Sequence, residues 1–210
     1  FLLTQKKHGS CGVVMRGYRG KNEQKNTPLF VGGWGSVCAT PEDAGDEAYA
    51  LAVATNTPVA VCSNKAYAVE LLLFLAKKKG EAIDTIIIDD GYQTQSIHKD
   101  YEIVLLDARA PFGNGRCLPA GPLREKDLSR ADLVIATHTD EATQKSQNEL
   151  IFEVERQRGL SFAQHSLVWG NHSFGGVFDA KGKKLSPQAA KSKRFCAVSG
   201  IGVLKDFVQC

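Results

Sequence analysis

Residues 84–93 read DTIIIDDGYQ, and the run Ile86, Ile87, Ile88 is the feature that most restricts the fold. Three successive β-branched apolar residues without alternation predict a strand covered on both faces, as in a parallel sheet sandwiched between helices. In such sheets ligands bind at the carboxyl ends of the strands. This strand ends on two adjacent carboxylates, Asp89 and Asp90. Their repulsion has a reason if a cation such as Mg²⁺, or a proton transfer, uses them. A solvated strand end closing on Asp-Gly as a turn accounts for the same residues.

The rest of the chain repeats the theme. CGVVM (11–15), PVAVC (58–62), YEIVLLDA (101–108) and ADLVIAT (131–137) read as further strands. Helices are predicted between them. In TPEDAGDEAYALAVAT (40–55), Thr40 is the cap, Pro41 the first helical residue, and acids crowd the first turn. NKAYAVELLLFLAKKKG (64–80) has Asn64 as cap and Gly80 as stop, and EATQKSQNELIFEVERQRG (141–159) supplies a third. Strands alternating with helices at this spacing define an α/β chain, a parallel sheet with helices on both faces. VGGWGSVC (31–38) reads as a flexible loop, and RAPFGNGRCLPAGPLRE (109–125), with three glycines and three prolines, as a long loop of the kind that carries function. Beyond the third helix, strands and turns are expected.

At 210 residues the chain holds one sizeable α/β domain, or one domain and part of a second. FLLTQKKHG (1–9) reads as the second half of a helix closing on Gly9, and RFCAVSGIGVLKDFVQC (194–210) as a strand, a glycine turn and the start of a helix. The expectation is a piece of a longer protein, with a core domain over 1–170 and the start of a C-terminal α/β subdomain over 171–210. A net charge of +3 from 26 basic and 23 acidic residues argues against nucleic acid as the main partner and leaves an anionic small substrate open. The six cysteines are scattered, without zinc spacing, and are expected to be reduced thiols. No apolar run reaches the roughly 18 residues of a membrane span.

Several residues are candidates for chemistry. The phosphate-loop pattern G-x-x-x-x-G-K-S/T is absent from these residues, and VGGWGSVC does not supply it. Asp46 and Glu47, early in their helix, are either dipole-stabilised surface acids or proton acceptors for a hydroxyl. Arg16 and Tyr18 follow a strand end, where a guanidinium suits phosphate, or else lie in a solvated loop. Asn114 and Arg124 are polar tips of the long loop. The histidines show no metal spacing. The lysines at 181, 183, 184, 191 and 193, with Arg194, read as a solvated basic face.

Taken in order, RGYRG, AGDEA, IIIDDGYQ, DYEIVLLDARAPFGNGRCLPAGPLRE and ADLVIATHTD resemble the tetraacyldisaccharide 4'-kinase (lipid A 4'-kinase) family, most specifically through FGNGRCLPAGPLRE. The resemblance implies a P-loop NTPase-like core using ATP and Mg²⁺. It implies phosphorylation of the 4'-hydroxyl of a tetraacylated glucosamine disaccharide 1-phosphate, at the cytoplasmic face of the bacterial inner membrane, with the membrane surface as a partner. By position, Asp89 and Asp90 take the catalytic and metal-binding role of the Asp-Asp-Gly motif, and Asp46 the catalytic role of Gly-Asp-Glu. Arg16, Gly17, Tyr18, Lys65, Gln93, Asn114 and Arg124 fall to substrate and phosphate binding. Departures from the family pattern are Thr94 for His, Tyr92 for Phe, Met15 for Ser, Arg19 for Gly, Ala48 for Pro and Lys65 for Arg. Two other classes fit parts of the pattern: a non-catalytic lipid or sugar-phosphate binding module derived from the kinase, and a Mg²⁺-dependent phosphohydrolase using Asp89 and Asp90.

Overall fold

The structure is a computed structural model and describes residues 9–191 apart from 172, 174 and 180. The segments expected as a half helix at the start and as a strand, turn and helix at the end lie outside the described residues. The chain divides into two compact units, Phe1–Glu102 and Ile103–Cys210.

In the first unit, strands β1 (Cys11–Met15), β2 (Leu29–Gly33), β3 (Ser36–Val37), β4 (Val59–Val61) and β5 (Thr85–Ile88) form one sheet in the order β3-β2-β4-β1-β5. β1 pairs in parallel with β4 and with β5, placing Val14 opposite Ala60 and Ile88. Helices α1 (Pro41–Ala44) and α2 (Asp46–Thr55) cover one face, where Ala44, Ala48 and Ala52 pack with Val13, Met15, Val59 and Val61. Helix α3 (Lys65–Lys79) covers the other, where Ala68 and Leu72 meet Val14, Ala60 and Cys62. Odd and even positions of the same strands thus go to opposite helices, as the parallel α/β pattern requires.

Three expectations need revision. The strands buried throughout are β1 and β4, whereas the isoleucine strand β5 is half-buried because it is the end strand of its sheet; Ile86 still leans on the α3 side and Ile87 on the other. The stretch VGGWGSVC supplies the turn of the β2–β3 hairpin, whose strand β2 runs antiparallel to both β3 and β4 and makes the sheet mixed at that edge. Its two turn residues, Trp34 and Gly35, have φ of 50° and 83°, the left-handed pair that a two-residue hairpin demands. The helix beginning at Thr40 breaks at Gly45 and restarts at Asp46. Thr40 caps as expected, accepting from the Asp43 N–H, as Asn64 does from Ala66, and Gly80 ends α3 in the left-handed conformation.

The second unit holds a three-stranded parallel sheet, β6 (Ile103–Asp107), β7 (Leu133–Thr137) and β8 (Leu167–Trp169), in that order. Helix α4 (Gln144–Arg158) is capped by Thr143 and followed, after Gly159, by the short helix α5 (Leu160–Ser166), where only strands and turns were expected. Residues 108–132 contain no helix or strand, in keeping with a long loop. Cys38, Cys62 and Cys117 are free thiols, and Cys11 is buried with its Sγ toward Gly12 O.

Leu72 is fully buried against the sheet while its neighbour Leu73 is 48% exposed. Leu72→Ala is expected to lower the unfolding free energy by about 2–5 kcal/mol. Leu73→Ala should change it by less than about 0.5 kcal/mol. Urea unfolding followed by circular dichroism compares the two.

Candidate active site

Parallel pairing fixes where the candidate residues of the first unit lie. Arg16 follows β1, Lys65 follows β4 by a short link, and Asp89 and Asp90 follow β5, so all sit at the carboxyl edge of one sheet. The Asp89 N–H donates to the Val14 carbonyl at 2.9 Å and carries the strand pairing to the first acid. The chain then turns, with Asp90 at φ 48°, a left-handed conformation that aspartate tolerates better than most residues. Both acids are exposed.

Lys65, the first residue of α3, is only 7% exposed. Its Nζ donates to the backbone carbonyls of Asp89 at 2.7 Å and Asp90 at 2.5 Å. The ammonium thus holds the backbone of the acidic turn, and its positive charge offsets part of the repulsion between two neighbouring carboxylates. Gln93 lies exposed a few residues on, just before Thr94, whose N–H closes back onto the Gly91 carbonyl at 2.9 Å.

A second constellation joins RGYRG to AGDEA. The Lys21 N–H donates to Glu42 O at 2.9 Å and the Asn22 N–H to Asp43 O at 3.1 Å. The two backbones approach so closely that a Cβ on Gly45 would stand 2.6 Å from Tyr18 O, and one on Gly20 2.6 Å from Asp43 O. Gly17, at φ +75°, sits against Val61 and Ala44 O. These contacts bring Arg16, Gly17 and Tyr18 together with Asp46. The break at Gly45 makes Asp46 the first residue of α2, where the positive end of the helix dipole favours a carboxylate. Tyr18 is exposed, with the Arg19 guanidinium 5.3 Å from its ring centre. Arg16 is bound by Glu23 at 2.8 Å, and the Arg19 N–H together with the Arg16 guanidinium holds the Glu23 carboxyl below the usual carboxylate range.

In the second unit the Asn114 side chain staples its own loop. It donates to Ala120 O and accepts from the Arg116 N–H, both at 3.0 Å. Arg124 is exposed on the far limb of that loop, beyond the Cys117–Leu123 bridge. A network that the sequence reading missed lies at the ends of β6 and β7. Arg109 grips Asp107 at 2.6 Å and reaches Glu141 at 3.2 Å, and His138 Nδ1 stands 3.8 Å from Asp107. Hydrogen bonding from the Arg109 side chain holds the Asp107 carboxyl below its usual range. The spacing Asp107-x-Arg109 at a strand end was the available signal.

The sequence matches the family described as LpxK: Tetraacyldisaccharide-1-P 4'-kinase over residues 2–210. The chain belongs to this kinase family. A tetraacyldisaccharide 4'-kinase from Haemophilus influenzae is 43% identical over 133 residues, 62% of this chain and 37% of that protein. One from Hydrogenovibrio crunogenus is 36% identical over 170 residues, 80% of this chain and 48% of that protein. Among solved structures, LpxK from Aquifex aeolicus in complex with ATP aligns with a TM-score of 0.55 and 30% identity, over 66% of this chain and 42% of that one. The chain thus spans about a third to a half of the length of the curated relatives it matches.

Two departures from the kinase pattern acquire a physical setting. Arg19, where the family pattern has glycine, adopts φ 62°. Lys65, in place of arginine, meets carbonyl oxygens of two successive residues, acceptors that a compact ammonium can serve from one point.

Arg19→Gly is expected to leave stability unchanged or raise it by up to about 1 kcal/mol, since a left-handed non-glycine residue is strained. Equilibrium unfolding checks the sign. For Asp107 the folded carboxyl titrates lower than in the unfolded chain, so its contribution is complete above about pH 4 and is lost as the pH falls through the lowered value. The destabilisation by Asp107→Asn is therefore largest near neutrality and shrinks in acid, as urea melts across that range will show.

Proposed function

We propose that the full-length protein transfers the γ-phosphoryl group of ATP to the 4'-hydroxyl of a tetraacylated glucosamine disaccharide 1-phosphate. The observation that carries this reading is the kinase-family match over residues 2–210. The geometry supports it: Arg16, Tyr18, Asp89 and Asp90 lie in loops at the carboxyl edge of the first unit's sheet, and Asp46 begins the helix that packs against the Arg16–Tyr18 loop.

In this reading Asp46 accepts the proton of the 4'-hydroxyl as its oxygen attacks the γ-phosphorus. The bond from that phosphorus to the β–γ bridging oxygen breaks, and ADP leaves. Asp89 and Asp90 offer hard carboxylate oxygens on a backbone fixed by Lys65, a donor set that suits Mg²⁺ shared with phosphate oxygens. Among the described residues there is no group of three or more His, Cys, Asp or Glu placed to hold a metal. Held there, Mg²⁺ would neutralise charge on the transferred group. Arg16, Gly17, Tyr18, Lys65 and Gln93 are assigned to positioning phosphate and substrate, as are Asn114 and Arg124 in the long loop, with the core domain at 1–170 and a C-terminal subdomain from 171.

Acyl chains anchor the substrate in a bilayer, and this supports a peripheral location at the cytoplasmic face of the bacterial inner membrane. No helix among the described residues is long and apolar enough to cross a membrane.

The test is ATP-dependent phosphorylation of tetraacyldisaccharide 1-phosphate by the full-length native protein beside Asp46→Ala and Asp89→Ala. Both variants are expected to lose about 100-fold or more in kcat, as for a lost proton acceptor or charge-positioning group. Wild-type protein that binds the disaccharide without transferring phosphate would overturn the reading.

A further inference from the structure

Residues 89–102 connect β5 to β6 without helix or strand, yet their backbone is gripped by two ammonium groups. Lys65 holds the carbonyls of Asp89 and Asp90. Lys99 holds the next part of the same turn, donating to Gly91 O at 3.0 Å and Thr94 O at 2.8 Å. Its third donor meets Glu102 Oε1 at 2.5 Å, so each N–H of this ammonium has an acceptor. The Lys99 and Glu102 side chains are 15% and 9% exposed, and neither has a role in the site described above.

A buried ion pair is a weak source of stability, because the desolvation of two charges consumes most of their attraction. An apolar side chain of similar length would fill the same space. What the ammonium supplies is a fixed point with three directed bonds, two of them to carbonyls just beyond the acids. Glu102 compensates its charge locally, so its effect on Asp89 and Asp90 comes through geometry. A turn without regular structure depends on such bonds to fix the direction of its side chains.

We infer that Lys99, held in place by Glu102, is a positioning residue that orients the Asp89–Asp90 turn for phosphoryl transfer. The inference rests on the kinase reading above. It also explains why Thr94 can stand where the family pattern has histidine: its backbone N–H and carbonyl close the turn, through Gly91 and Lys99, and neither bond uses its side chain.

The test compares Lys99→Met, Lys99→Arg and Glu102→Gln in the full-length native protein by steady-state kinetics and by hydrogen exchange of the peptide covering 89–96. Lys99→Met is expected to speed exchange at the Thr94 amide by about 10-fold or more. It should lower kcat by about 10- to 100-fold, the effect of a small misplacement, with KM for the disaccharide within about threefold of wild type. Lys99→Arg, which keeps a cation with several donors, should recover both readouts to within about threefold. Glu102→Gln should fall between, and it replaces Lys99→Met as the deciding variant if that one does not fold. A purely structural role predicts a lower Tm with wild-type kcat per folded molecule and wild-type exchange over 89–96, which would overturn the inference. If wild-type protein transfers no phosphate, the kinase reading falls, and unchanged exchange in Lys99→Met would separately overturn the positioning of the turn.

Discussion

The parallel pairing of β1 with β4 and β5 is the constraint on which the first unit depends. Because all three strands run the same way, their carboxyl ends fall on one edge, and Arg16, Lys65, Asp89 and Asp90 arrive there together. The pairing is stable because β1 and β4 are covered twice, Val13 and Val59 by α2 and Val14 and Ala60 by α3. Small residues on α2, Ala48 and Ala52, let that helix lie close to the sheet. The same closeness presses the Gly45 turn against the loop after β1, so Asp46 joins Arg16 and Tyr18 through backbone contact.

Both units end a strand on an acid, and they treat its charge differently. Asp107 is met directly by the Arg109 guanidinium, which holds the carboxylate in a local ion pair. At Asp89 and Asp90 the cation binds carbonyl oxygens of the turn, and the carboxylates remain exposed at the sheet edge. An acid neutralised in place suits a structural joint. In the proposed function these two acids are the ones that meet a cation and phosphate.

Much of this was legible in the residues. Unalternating apolar runs marked β1, β4 and β5, and the caps Thr40, Asn64 and Gly80 stand where their side chains or backbone freedom are used. The motifs RGYRG, AGDEA and DDGYQ carried the family resemblance. The hairpin at Trp34 and Gly35 was hidden because a tryptophan rarely adopts φ near 50°, and glycine-rich sequence reads equally well as a loop. The depth of each strand was also hidden, since β5 carries the most apolar run and yet lies at the end of its sheet.

By itself the sequence determined the alternation of strands and helices, their caps, and the types of residue placed at strand ends, because these follow from local periodicity and from chemistry within a few positions. The tertiary structure alone decided that Lys65 and Lys99 serve backbone carbonyls of one turn, that Gly45 restarts a helix at Asp46 against Tyr18, and that Arg109 closes on Glu141 as well as Asp107. Most of these join residues far apart in the chain, and the nearer partners of Lys99 are carbonyls that every residue carries. Which acceptor an ammonium finds is therefore set only once the strands have paired and the turns have closed.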